Sequence, residues 1–116
     1  MGRKGKGGRL RFQPPAAGSM MKQAQQLQAQ VLQAQEQLAT ESVTVSVGGG
    51  AVTIVMTGQQ ELRALKINPE VVNPDDVDML QDLIIAAVNE AMAKSREMAE
   101  QKMAPLTSAL NLGGLL

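Results

Sequence analysis

The sequence predicts an α+β domain built from an N-terminal helix, a three-stranded antiparallel meander and a long C-terminal helix. Three observations predict it. Met20, Ala24, Leu27, Val31, Ala34 and Leu38 recur at spacings of 4, 3, 4, 3 and 4, the seam of a helix that packs against another. Two segments of alternating apolar and polar residues flank three glycines in "VTVSVGGGAVTIVMTG", residues 43–58. An Asn-Pro-Asp-Asp quartet at 73–76 opens onto an apolar stripe that meets no proline until Pro105. The 116 residues suit one domain.

The first helix starts at about Met20, with Ser19 placed to cap it. Eight of the fifteen residues from Gln23 to Gln37 are glutamine, so its exposed face is polar but nearly uncharged. With alanine at two seam positions and only about three heptads, this helix needs a partner to be stable. The first strand is Ser42–Val47 and the second Ala51–Thr57, with Val43, Val45 and Val47 on one face and Val52, Ile54 and Met56 on the face that must match it. Pairing Val43 with Ile54 and Val45 with Val52 leaves a two-residue loop, Gly48-Gly49, which needs the positive φ that glycine supplies. Gly50 then opens the second strand. A four-residue loop also keeps the faces matched; a three-residue loop does not. A phosphate cradle needs glycines leading from a strand into a helix with Lys-Ser/Thr after them. Here they lead into a strand, and no lysine follows before Lys66. The glycines are therefore a bend.

A turn at Gly58–Glu61 leads to a third strand, Leu62–Ile67, with Leu65 and Ile67 facing inward. Asn73 is the expected cap of the last helix, Pro74 its first residue, and Asp75 and Asp76 complement its dipole. The helix should run to about Ala104 and stop at Pro105. Val77, Leu80, Ile84, Ala87, Ala91 and Met98 form its main stripe, widened by Leu83 and Val88. The domain boundaries that follow are a basic, disordered arm at 1–19, a folded domain at 20–105 and a flexible Gly/Leu tail at 106–116.

Dimerisation follows from the sizes of these pieces. A helix of about 30 residues is ~45 Å long, whereas strands of six residues span only ~20 Å. One small sheet with open edges does not cover such a helix. A two-fold homodimer extends the sheet and covers the stripes.

Composition excludes much chemistry. The chain has no Cys, His, Trp or Tyr, which removes thiolate, imidazole and disulfide chemistry. The carboxylates Asp75, Asp76, Asp78 and Asp82 admit a hard-metal reading, but dipole complementation accounts for most of them. No catalytic, metal or cofactor site is expected, and no small-molecule substrate. No apolar run approaches the ~20 residues that cross a membrane, and no apolar segment follows the basic N-terminus as in a secretory signal. A cytoplasmic protein is the default expectation.

The net charge of zero hides an asymmetry. Residues 1–19 hold Arg3, Lys4, Lys6, Arg9 and Arg11 and no acid, a charge of +5, and residues 20–116 hold 6 bases and 11 acids, a charge of −5. A basic arm on an acidic body points to an anionic partner. A solvated or spurious leader explains the same composition, since Met20 or Met21 could each be a start. If the two helices pack antiparallel, their far end gathers Lys22, Lys94, Arg96, Lys102 and the arm, the electrostatic footprint of nucleic-acid binding. Lysine and arginine near a helix C-terminus also complement the dipole. No zinc finger, aromatic platform or basic-zipper region is present, so binding should be mostly phosphate-directed.

"MMKQAQQLQAQ" opening a helix, "GGGAVTIVMTG" in a hairpin, "LKINPEVVNPDDVDMLQDLIIAAVNEAMAKSREMAEQKM" running into a long helix, and the Gly/Leu tail together resemble the YbaB/EbfC family of bacterial nucleoid-associated proteins, over roughly residues 20–116. The resemblance implies a small, tweezer-like homodimer that binds DNA with little sequence specificity, alters its conformation in the nucleoid and affects gene expression. In that family binding is associated with the helical tips, which places Lys22, Lys94, Arg96 and Lys102 nearby. The basic arm departs from the compact family pattern. The rivals are a helical protein–protein adaptor without nucleic-acid binding, and an RNA-binding tail on a body that only dimerises.

Overall fold

The computed structural model describes residues 17–112. It contains α1 (Ala17–Thr40), β1 (Ser42–Val47), β2 (Val52–Thr57), β3 (Leu62–Ile67), a 3-10 turn (Pro69–Val71) and α2 (Val77–Leu112). The strands form one antiparallel sheet in the order β1-β2-β3. The α+β order expected from the sequence is the one observed.

The hairpin register differs from the first expectation. Val43 pairs with Met56, Val45 with Ile54 and Val47 with Val52, so the loop is the four-residue one, Gly48 to Ala51. Parity is the same in both registers, but the longer loop adds the Val47–Val52 pair. Gly48, Gly49 and Gly50 all take positive φ, at 63°, 67° and 96°, a run that only glycine adopts without strain. Gly50 therefore belongs to the bend and not to the strand, which begins at Val52.

The helix ends also differ. Ser19 lies inside α1, which begins by Ala17. Asn73 does not cap α2. Its side chain accepts from the Asp75 N–H at 2.9 Å, as Asn68 accepts from Glu70 N–H at 2.9 Å. Each Asn-Pro pair thus makes its own Asx turn. Asp76 caps α2 instead, its Oδ1 accepting from Met79 N–H at 3.3 Å. Pro105 sits within α2, which continues to Leu112. The lost backbone bond and ring clash are costly in an isolated helix, but Pro105 and Leu106 here line a cleft against Gln30, Gln33 and Ala34 of α1, and tertiary packing overrides the propensity. Residues 106–112 are accordingly helical. Of the expected arm, residues 17–19 are helical and residues 1–16, with Arg3, Lys4, Lys6, Arg9 and Arg11, lie outside the described residues.

The core is the face of the sheet under the first half of α2. Val45, Val52, Ile54 and Met56 are buried against Ala87 and Ala91, with Leu80, Leu83, Ile84, Val88 and Met92 packed around them. The two alanines stand one turn apart and let the helix backbone approach the strands. Ser95, one turn further, is also buried, and its hydroxyl donates to the Thr57 carbonyl at 2.7 Å. Ile54 is fully buried in this layer. Ile54→Val should cost about 0.5–1.5 kcal/mol, read from the denaturant midpoint at unchanged slope.

Leu65 lies on the core face, opposite Ile54, yet it is 42% exposed. The reason is placement: α2 packs over β1 and β2 and leaves β3 uncovered. Val77, expected in the stripe, is exposed as well, because a helix of 36 residues outruns strands of ~20 Å.

Candidate nucleic-acid interface

Beyond the sheet the two helices form an arm. The C-terminal half of α1 runs antiparallel to the second half of α2, with Gln37 beside Lys102 and Gln30 and Gln33 beside Pro105 and Leu106. From Ser95, at the end of the sheet, to Leu112, α2 extends for ~25 Å.

The base of the arm is fixed by the carbonyls that end α1. A helix leaves its last four carbonyls without intrahelical donors. Here Glu41 N–H donates to Gln37 O at 2.8 Å, and an Arg63 guanidinium N–H donates to Ala39 O at 3.1 Å. Gly58 N–H donates to Glu41 O at 3.0 Å, just past the helix. The β2–β3 hairpin thus supplies donors to this end, and Arg63 adds a positive charge at the negative end of the dipole.

The expected site residues are strung along this arm and not gathered at its end. Lys94 and Arg96 flank Ser95 at the base; at 100° per residue they leave opposite sides of α2. Lys102 lies ~12 Å further out. Its ammonium meets a Glu41 carboxylate oxygen at 2.7 Å and Gln37 Oε1 at 3.1 Å. It stands ten residues from the end of α2, too far for dipole complementation, which fades within the last turn. Lys22 stands ~22 Å from the Gln37 level along α1. Lys22, Lys94 and Arg96 are exposed, and among the described residues they form no ion pair. Lys66 is a further exposed cation, on β3 opposite Thr53. Sequence reasoning passed over it because a lone lysine in a strand carries no motif. Acids and bases are unevenly spread: residues 74–91 hold Asp75, Asp76, Asp78, Asp82 and Glu90 and no base, whereas residues 92–112 hold Lys94, Arg96 and Lys102 against Glu97 and Glu100, and α1 holds Lys22 against Glu36. Among the described residues no group of three acids converges as a metal site would require, and no helix is long and apolar enough to cross a membrane.

Residues 14–110 match the model of the YbaB/EbfC DNA-binding family. The chain belongs to that family. Its relatives include a nucleoid-associated protein of Ruminiclostridium cellulolyticum, 52% identical over 84% of this chain and 83% of that one. A nucleoid-associated protein of Desulforamulus reducens is 52% identical over 83% and 91% of the two chains, and one of Chloroflexus aurantiacus 48% identical over 78% and 91%. Among solved structures, an uncharacterized protein from Helicobacter pylori shares the fold with a TM-score of 0.58 at 22% identity, over 67% of this chain and 90% of that one. Family membership supports a nucleoid-associated, DNA-binding role, the function expected from the sequence.

Proposed function

We propose that this YbaB/EbfC member acts as a homodimer that binds DNA mainly through its phosphates, with little sequence specificity, and alters the conformation of the duplex. The separation of charge carries the reading. Residues 74–91, which include the half of α2 that covers the sheet, carry five acids and no base, whereas residues 92–112 carry Lys94, Arg96 and Lys102 against Glu97 and Glu100, with Lys22 further along α1. A polyanion is attracted to the second surface and repelled by the first. The names of the relatives support a place in the nucleoid, within the cytoplasm. Without His or Cys the reading assigns no catalysis, cofactor or small-molecule substrate. Arg3, Lys4, Lys6, Arg9 and Arg11 add phosphate contacts from the N-terminal arm.

Pairing is supported by the uncovered groove along β3. Leu62 and Leu65 share the core face with Met56 and Ile54 but have no helix over them. Leu83 meets the turn after β1 at Gly48, and the Met92 carbonyl on the other flank accepts from Gln60 in the β2–β3 turn. Ile85, seven residues before Met92 on that same flank, is 57% exposed. A second copy seated there covers all three side chains and both free edges shrink to one.

Titrating labelled duplex DNA at rising salt tests the function. Affinity should fall along a log–log line whose slope counts the phosphates neutralised. Lys94→Glu with Arg96→Glu should reduce that slope by about 2 per protomer without changing the mass of the particle. A protein–protein adaptor would show no saturable DNA binding at low salt. Removing residues 1–19 should weaken binding without abolishing it; complete loss would make the arm the sole contact.

A further inference from the structure

Among the described residues, the N-terminal part of α1 is built differently from the exposed surface of α2. Its apolar seam is buried at Ala34 and Leu38, half-buried at Val31 and Leu27, and exposed at Ala24 and Met20. Lys102 lies beside Gln37 and α2 ends ten residues later. Antiparallel packing therefore brings the end of α2 level with about Leu27, and among the described residues α1 continues past it for ~15 Å. The polar surface there is made of amides. α1 holds eight glutamines in 24 residues, against two in the 36 of α2. Helix formation alone does not require this, since α2 uses acids, lysine and arginine at equivalent positions. Gln23, Gln26, Gln30 and Gln33 are spaced 3, 4 and 3, one continuous row directly beside the seam. All four are exposed, and among the described residues none of their side chains is hydrogen-bonded to protein.

We propose that this N-terminal part of α1 enters the major groove of duplex DNA and favours A·T base pairs there. The proposal rests on the DNA-binding reading above and deepens it. A single helix is 10–12 Å across and the major groove about 12 Å wide, so this stretch of α1 fits where the paired arm does not. Gln23 and Gln26 face the base edges. A glutamine amide matches the N6 donor and N7 acceptor of adenine. Met20 and Ala24, exposed on the adjoining seam, meet the thymine methyl, the apolar feature of the same pair. G·C pairs are read best by arginine on guanine and by a carboxylate on cytosine, and α1 has neither before Glu36. Lys22, on the far side of Gln26, reaches a phosphate at the groove edge. Gln30 and Gln33, beside Pro105 and Leu106, stay at the groove mouth. The result is a base-composition bias laid over phosphate binding, without a defined site.

The test compares fluorescence anisotropy titrations of the full chain with equal-length duplexes of A·T pairs, G·C pairs, and A·U pairs, which lack only the major-groove methyl. Wild type should prefer the A·T duplex over G·C by about tenfold or more, with A·U between them. Gln23→Ala with Gln26→Ala should bring the A·T affinity down to the G·C level and so remove that preference, with helicity kept, because alanine is the better helix former. Equal wild-type affinity for the A·T and G·C duplexes overturns the proposal, as does a preference that survives in the variant, which would make this end a helix–helix contact with a second copy. Absence of binding to any duplex at low salt overturns the DNA-binding reading with it.

Discussion

Replacing Leu65 and Ile85 together by aspartate is expected to leave a folded single chain that no longer pairs. Both side chains are exposed within one protomer, at 42% and 57%, so neither substitution opens a cavity in the core of Val45, Val52, Ile54 and Met56. In the proposed dimer each appears twice. Covering an apolar side chain of this size is worth at least ~1.5 kcal/mol, so four contribute ~6 kcal/mol, or about four decades in the dimer Kd. Four carboxylates without partners in the same groove add a desolvation cost on top. Sedimentation equilibrium at micromolar concentration reads the outcome directly. The wild type should give twice the chain mass and the variant once, with matching far-UV circular dichroism. A wild type that sediments as one chain, or a variant that still pairs, removes the groove as the interface. The same variant carries a second reading: two arms held by one dimer bind a duplex with avidity, so its DNA affinity should fall more than that of the Lys94→Glu/Arg96→Glu pair.

Much of this architecture was legible because period is a strong signal. The seam from Met20 to Leu38 and the alternation on either side of the glycines placed α1, β1, β2 and β3 within a few residues. What period does not fix is phase across a gap. Loops of two and four residues preserve the same alternation, and only the added Val47–Val52 pair selects the longer one. Propensity misplaced the ends of α2 for a related reason. Asn73 and Asp76 are both good caps, and the Asx turn that consumes Asn73 becomes visible only once Asn68 is seen doing the same. Pro105 reads as a stop until α1 lies beside it. The candidate site suffered most. Charges along a helix were counted as if position alone set their location, yet Lys94 and Arg96 leave α2 on opposite sides and Lys102 is engaged by Glu41, a partner 61 residues away. Conversely, the row of glutamines was present in the spacing all along. It gained meaning when the exposed seam at Met20 and Ala24 showed that, among the described residues, no other element packs on this part of α1.

Gly58→Val should be the most damaging single substitution outside the core, because the orientation of the arm depends on a contact with no room in it. Gly58 does not use a backbone conformation reserved for glycine; it is absent from the positive-φ positions. The constraint is steric. A Cβ at this position would stand 2.5 Å from Leu38 Cδ2, 3.0 Å from the Leu38 carbonyl oxygen and 3.1 Å from Leu38 Cβ. The methyl group has little room to swing aside, because Leu38 is buried at 4% exposure, and the carbonyl belongs to the last turn of α1. Valine adds two further carbons. The helix must move away from the sheet, which also strains the Gly58 N–H bond to Glu41 O and the Gln59 amide bond to Gln35 O at 2.9 Å. Overpacking of this kind costs about 1–3 kcal/mol and occasionally more, and the strained bonds place Gly58→Val at the upper end. A double-mutant cycle with Leu38→Ala separates this mechanism from a general loss of hairpin stability. Leu38→Ala alone should cost about 2–5 kcal/mol. Combined with Gly58→Ala it should cost clearly less than the sum, since the removed side chain makes space for the added methyl. Strict additivity would mean that the two residues do not share the contact, and that α1 is aimed by the Arg63 and Gln59 hydrogen bonds alone.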